Sequence, residues 1–265
     1  MCRILSSQRL GRPSPRVQSG WLPRRVKTKC SVMRIDPQIS HVGIVVLGAF
    51  NPAIFTPAWF VLHDLLPPET ESSASVQVVH RQVASFTADW LNLQATDDRF
   101  AVNTTRAPHV RLCDLVRRVF KELLPHTPLK AFGINRDVHF PVRNMDELDR
   151  IGRELAPVAP WGACGQNLGF DGTHGGMTSL TMSRLRPEGR HAGDQINVKV
   201  EPSKRMSSGF GVYVGVNDHY VIGETVASGT STRLAELLGG NFETSLSRSE
   251  ELIDQIMSLA TGPEK

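Results

Sequence analysis

No stretch of this chain approaches the roughly 18 consecutive apolar residues needed to cross a bilayer, so no membrane partner is expected. Its four cysteines, Cys2, Cys30, Cys113 and Cys164, stand far apart. That spacing argues against a disulfide framework and for reduced thiols in the cytoplasm. The nine histidines never fall in the HxxxH or HExxH spacing that sets two ligands on one helical face, so no metal is expected. A GxSxG elbow, a Walker phosphate loop and a GxGxxG fingerprint between strand and helix are all missing, which disfavours the common nucleotide enzymes and implies no cofactor.

Acidic residues are absent from the first 34 positions, which hold nine Lys/Arg among Pro, Ser and Gly. Removing them from the 30 basic and 26 acidic residues of the whole chain leaves 21 against 26, so the basic balance belongs to an arm and the body is acidic. Such an arm (residues 1–34) has no apolar periodicity and is expected to be disordered alone. It reads as a nucleic-acid tail displacing counterions from phosphates, as an organelle transit peptide, or as untranslated sequence ahead of a start at Met33. Nucleic acid is therefore a partner only if the arm is present.

The body opens on an apolar strand, Val42–Gly48. Thr56-Pro57 then signals a helix running to Leu66, because Thr caps free amides and Pro at the first helical position loses no hydrogen bond. Alternation at Val76 and Val78, at Leu91, Leu93 and Ala95, and at Phe100 and Val102 predicts a three-stranded antiparallel meander. Val110–Leu124 shows one apolar helix face, with Arg111, Arg117, Arg118 and Lys121 on a solvated one. A strand over 129–142 and a helix over 145–155 follow. Residues 157–176 are rich in Pro and Gly and mark a boundary. Beyond it come strands near 177–185, 196–200 and 210–216 and two closing helices, the last starting at Ser247 with Glu250 as a capping box. The expected class is α+β: two similar halves, 35–156 and 177–265, each a three-stranded meander packed with helices, able to form one continuous sheet.

Chemistry is sparse. Gly133-Ile134-Asn135 leading to His139 echoes Gly215-Val216-Asn217 leading to His219. Either glycine and asparagine serve local backbone geometry, or Asn135, His139, Asn217 and His219 meet across a pseudo-twofold interface. Glu201-Pro202-Ser203-Lys204-Arg205 is a loop between antiparallel strands whose Lys204 and Arg205 could grip an anion or a partner's acidic patch, or simply be a solvated hairpin tip. Cys164, set among glycines, and the pair Asp171 and His174 read as parts of a loop. Trp59, Phe60, Trp90 and Trp161 read as core rather than stacking platforms, since base stacking needs exposed rings on a basic surface.

The segments Ile54-Phe55-Thr56-Pro57-Ala58-Trp59, Ala131-Phe132-Gly133-Ile134-Asn135 and Asn217-Asp218-His219-Tyr220, with Asn241-Phe242 further on, resemble a sporadically distributed family of uncharacterised bacterial proteins of about this length. The resemblance spans about residues 40–260 and implies two α+β halves in a cytosolic bacterial protein, with no catalytic residues to carry over. The expected function is a non-enzymatic cytosolic binding or assembly protein acting through protein–protein contacts, with a second copy of the chain as one candidate partner in a homodimer, through Asn135, His139, Glu201, Lys204, Arg205, Asn217 and His219. The rivals are a hydrolytic enzyme with a site between the halves, built from His139, Asn135, His219 and Glu201, and nucleic-acid binding through the arm.

Overall fold

The structure, a computed structural model, describes residues 36–169, 176–185, 193–207, 209–223 and 229–260. The basic arm and the pair Asp171 and His174 lie outside the described residues. The described residues belong to one compact unit.

Nine strands build a single antiparallel sheet: β1 (Ile39–Gly48), β2 (Ser75–Val79), β3 (Val83–Ala88), β4 (Leu91–Thr96), β5 (Arg99–Thr104), β6 (Leu129–Pro141), β7 (Leu180–Leu185), β8 (Gln195–Pro202) and β9 (Gly211–Val221). Their spatial order is β2-β3-β4-β5-β1-β6-β9-β8-β7, so β1 and β6 pair at the centre and each is flanked by a meander. The helices are α1 (Pro57–Leu62), α2 (Thr70–Ser73), α3 (Val110–Arg117, continuing through a π-helical segment to Leu123), α4 (Met145–Leu155), α5 (Gly162–Asn167) and α6 (Thr230–Ser258).

Because side chains alternate across a strand, the register sorts the sheet into two faces. Val42, Ile44 and Val46 of β1, Phe132, Ile134, Val138 and Phe140 of β6, and Val212, Val214 and Val216 of β9 all point to one side and are buried. With them pack Phe60 of α1, Leu112 and Val116 of α3, Ile151 of α4, and Leu234, Leu238, Phe242, Ile253 and Met257 of α6. The apolar clusters take every strand member from this face except Leu129, which follows the register shift at Leu47/Gly48. The other face has no apolar cover among the described residues.

Several expectations need correction. The first meander has four strands, because Val83–Ala88 also pairs, and its Ala84, Phe86 and Ala88 are too small or too interrupted an apolar pattern to stand out. One 29-residue helix replaces the two closing ones. Ser247 sits inside it, and no cap forms there, since Leu238 and Phe242 on one side and Ile253 and Met257 on the other are buried in successive clusters and hold the helix through Gly239 and Gly240. Arg117 packs on Gly239, where a Cβ would lie 3.1 Å from its Nε. The helix from Thr56 ends at Leu62, although its cap is as expected, Trp59 N–H donating to Thr56 Oγ1 at 3.2 Å. The boundary stretch carries a 3-10 turn (Ala159–Trp161) and α5. Nor are the arginines of α3 merely solvated, for Arg111 lies 4.2 Å over the Trp90 ring and Arg118 donates to the carbonyls of Asp64 and His63.

Between the two apolar clusters runs a polar seam. Arg136, only 6% exposed, donates to Ser40 Oγ at 2.8 Å and to the His41 carbonyl. Asp218, 1% exposed, accepts from Arg248 Nη1 at 3.0 Å and from the Tyr220 hydroxyl at 3.1 Å. Opposite them α6 presents the buried Ser245 and Ser249.

Candidate functional site

The uncovered face of the sheet carries one feature no single strand reveals. Across it runs a row of paired positions: Thr87 opposite Asn92, Asn92 opposite Asn103, Asn103 opposite Gly43, Gly43 opposite Asn135, Asn135 opposite Asn217, Asn217 opposite Asn197, and Asn197 opposite Ser183. Their side chains are hydrogen-bonded in sequence. Thr87 Oγ1 donates to Asn92 Oδ1 at 2.9 Å, and Asn92 Nδ2 to Asn103 Oδ1 at 3.2 Å. Beyond Gly43, Asn217 Nδ2 donates to Asn135 Oδ1 at 2.7 Å, Asn197 Nδ2 to Asn217 Oδ1 at 3.3 Å, and Ser183 Oγ to Asn197 Oδ1 at 2.6 Å. Linked amides polarise one another, so such chains are stiffer than isolated pairs.

Glycines let these side chains lie flat. A Cβ at Gly133 would meet Asn217 Nδ2 at 2.5 Å, and one at Gly215 would meet the Tyr213 hydroxyl at 2.3 Å, so the amide and the phenol ring rest on bare backbone. At Gly43 no functional group takes that place: a Cβ would touch the Val102 carbonyl at 3.3 Å and the Cβ atoms of Asn103 and Asn135 at 3.4 and 3.9 Å. The row therefore has one open step, between β5 and β6 at the centre of the sheet.

Towards the β8–β9 hairpin the same face gathers its titratable groups. His139 Nδ1 lies 2.8 Å from Ser203 Oγ, and the His139 ring packs on Tyr213 with 4.9 Å between centroids. The Tyr213 hydroxyl donates to Asp137 Oδ1 at 2.5 Å, while Glu201 pairs with Lys199 at 2.7 Å. Burial and the Arg205 guanidinium hold the His41 and His139 imidazoles below the usual histidine value, and burial does the same to His219. Burial, with the Asp137 carboxylate accepting its hydrogen bond, pushes the Tyr213 phenol up.

The sequence candidates separate accordingly. Asn135 and Asn217 do meet, directly. His139 and Glu201 share the hairpin end with the backbone of Arg205, whose N–H donates to Ser203 Oγ at 3.2 Å. Lys204 is exposed in the turn. His219 stands opposite Gly133, whereas His139 stands opposite Tyr213, six positions away along β9; at about 3.3 Å per residue that is about 20 Å. The two histidines do not form a pair. Ser203 and His139 are themselves buried, at 6% and 7% exposure, and among the described residues no carboxylate hydrogen-bonds the imidazole, so the arrangement lacks the orienting group of a nucleophile–base relay.

Asn92, Asn103, Asn197, Ser183, His41, Asp137 and Tyr213 escaped the sequence reading. A signal was present. Asparagine is depleted in strands, yet Leu91-Asn92, Val102-Asn103, Ile134-Asn135, Ile196-Asn197 and Val216-Asn217 each put one directly after a core-facing residue.

Elsewhere, a shallow depression of about 430 Å³ beside α6 is lined by Glu243, Thr244, Ser247, Arg248 and Glu251. Its one cation already bonds Asp218. No group of His, Cys, Asp and Glu among the described residues could hold a metal ion, and none of the described helices is long and apolar enough to cross a membrane. No protein-family model and no curated protein matches the sequence.

Proposed function

We propose that this is a binding or assembly protein that acts through protein–protein contacts, with the uncovered face of the sheet as its docking surface. The observation that carries the reading is the side-chain hydrogen-bonded row crossing that face. It is a broad, prearranged polar surface, whereas the polar groups that could do hydrolysis are paired off or about 20 Å apart. The strands of the face carry Arg99 and Lys199 against Asp137 and Glu201, and Arg205 acts on His41 and His139 at its hairpin end, so its net charge is small and it offers few cations to a phosphate backbone. Cys113 and Cys164, both unpaired, support a cytoplasmic setting.

The register also supports two equivalent halves, divided differently from the sequence expectation. A two-fold axis through the Gly43–Asn135 pair would exchange β1 with β6, β5 with β9, β4 with β8 and β3 with β7. It would match Asn103 with Asn217, Asn92 with Asn197 and Thr87 with Ser183. Each half then begins at a central strand, β1 or β6, and not at the glycine-rich boundary. Membership of the sporadically distributed bacterial family remains part of this proposal.

The test is a comparison in the native host. Tagged wild-type protein and a variant carrying Asn135→Arg are purified side by side, with folding checked by circular dichroism. A protein retained by the wild type and lost by the folded variant supports the reading; an identical set of companions on both would sink it.

A further inference from the structure

We propose that the hairpin end of the open face is a binding site for a carboxylate group, with the Arg205 guanidinium as its main donor and the His41 and His139 imidazoles as further ones. The site rests on the docking reading above and names the group a partner would present there, the side chain of an aspartate or glutamate.

Three elements supply it. Ile39 of β1 stands opposite His139 of β6, and His41 stands opposite Asp137. The two imidazoles are therefore diagonal neighbours on one face, with Cα atoms about 7–8 Å apart. The β8–β9 hairpin brings in Arg205, whose N–H donates to Ser203 Oγ at 3.2 Å, and that oxygen lies 2.8 Å from His139 Nδ1. Ser203 thus ties the turn to the ring.

The charges around the site divide in the same sense. Of the two carboxylates facing the imidazoles, Asp137 accepts the Tyr213 hydroxyl of β9 at 2.5 Å and Glu201 pairs with Lys199 of β8 at 2.7 Å. The Arg205 side chain is exposed, and among the described residues no carboxylate pairs with it. Asn103 of β5 hydrogen-bonds His41, and Arg136 acts on that ring more weakly than Arg205 does. After burial, Arg205 is the strongest influence on both rings, ahead of Asp137 at each and of Glu201 at His139.

A carboxylate suits this set. Its two oxygens match the parallel N–H groups of a guanidinium, and its single negative charge offsets the cost of protonating the rings beside Arg205. A dianion would carry a second negative charge towards Asp137 and Glu201. Binding and proton uptake are linked: the ligand raises the imidazole values, so by reciprocity its affinity grows as pH falls through them.

The experiment is a proton NMR titration of the full chain with sodium formate, and separately with sodium sulfate, across the histidine pH range at an ionic strength fixed with sodium chloride. Signals are assigned through the His41→Gln and His139→Gln variants. Formate should move both imidazole signals and raise their midpoints by about one unit, which makes formate about tenfold tighter below the midpoint than above it. Sulfate should bind more weakly. Arg205→Gln should weaken formate about tenfold or more, and Arg205→Lys, which keeps the charge but loses the paired N–H groups, by several-fold. Lys121→Gln removes the same charge from an exposed position on the continuation of α3 and should change nothing. Circular dichroism confirms that each variant is folded. Signals that formate leaves in place, or a folded Arg205→Gln that binds formate as tightly as wild type, overturn the site. Sulfate binding tighter than formate overturns the carboxylate. Each of these leaves the docking reading itself to the host purification.

Discussion

The two faces of the sheet share strands, register and backbone, yet they are made of different chemistry. On the covered face a residue is chosen for volume: Phe100, Phe132, Phe140 and Ile44 are each at most 2% exposed and interlock with helices. On the open face residues are chosen for size and hydrogen bonding, and asparagines of β4, β5, β6, β9 and β8 line up across the sheet, with hydroxyls of β3 and β7 at the ends and Gly43 of β1 between. Burial sets the first pattern strand by strand. The second depends on register between strands far apart in the chain, since Asn103 and Asn217 belong to different meanders. A hydrophobic face is thus tolerant of many volume-conserving sequences, whereas a side-chain row exists only if every strand stops at the right residue.

The comparison can be broken first at the core. Phe132→Ala removes a ring stacked on Tyr220 at 4.8 Å and fully buried; it should cost about 3–5 kcal/mol, on the order of 10 °C in Tm, and a calorimetric loss below about 1 kcal/mol would deny that this face carries the stability. Next comes the seam, where Asp218→Ala strips Arg248 and Tyr220 of their acceptor. Because the Arg248 side chain is 37% exposed, the expected loss lies between the buried and surface ranges, about 2–3 kcal/mol, readable by urea denaturation.

On the open face the expected effects are smaller. Asn217→Ala should cost about 1 kcal/mol, and a double-mutant cycle with Asn135→Ala should return a coupling of about 0.5 kcal/mol or more; strict additivity would mean the row is an alignment without interaction. Acid supplies a further test. His41 and His139 have folded-state values below their unfolded ones, so the unfolded chain binds protons more readily as pH falls. The stability they contribute is whole above about pH 6.5 and is lost as pH falls from there towards their depressed folded-state values. Melting temperature should therefore drop between pH 7.5 and pH 5, and the His41→Gln/His139→Gln double variant should flatten that drop. Smallest of all, Glu201→Gln breaks a pair whose members are 32% and 45% exposed and should change stability by less than about 0.5 kcal/mol.

Much of this was legible. The alternation at Leu91, Leu93 and Ala95 and at Phe100 and Val102 marked β4 and β5, and Thr56-Pro57 marked the start of α1. The continuous α6 was not legible, because the capping-box pattern of Ser247 and Glu250 marked a helix start inside it, and only the burial of Leu238 and Phe242 before it and of Ile253 and Met257 after it shows that the helix runs through. At the site, Asn135 and Asn217 stood out through their local echo. Asn92, Asn103 and Asn197 did not, since an asparagine in a strand is locally unfavourable and its compensation lies on another strand.

What the chain determined by itself is periodicity: which stretches alternate, which repeat every three to four residues, which side of each strand is apolar, and that the acidic body follows a basic, acid-free beginning. Those are local properties, set by side-chain volume and backbone preference within a few residues. Strand order and register belonged to the tertiary structure. Placing β1 against β6 joined positions 43 and 135, and placing β6 against β9 joined 135 and 217. Such pairings depend on helices covering one face in common, and a shift of a single residue would have sent every asparagine of a strand into the core.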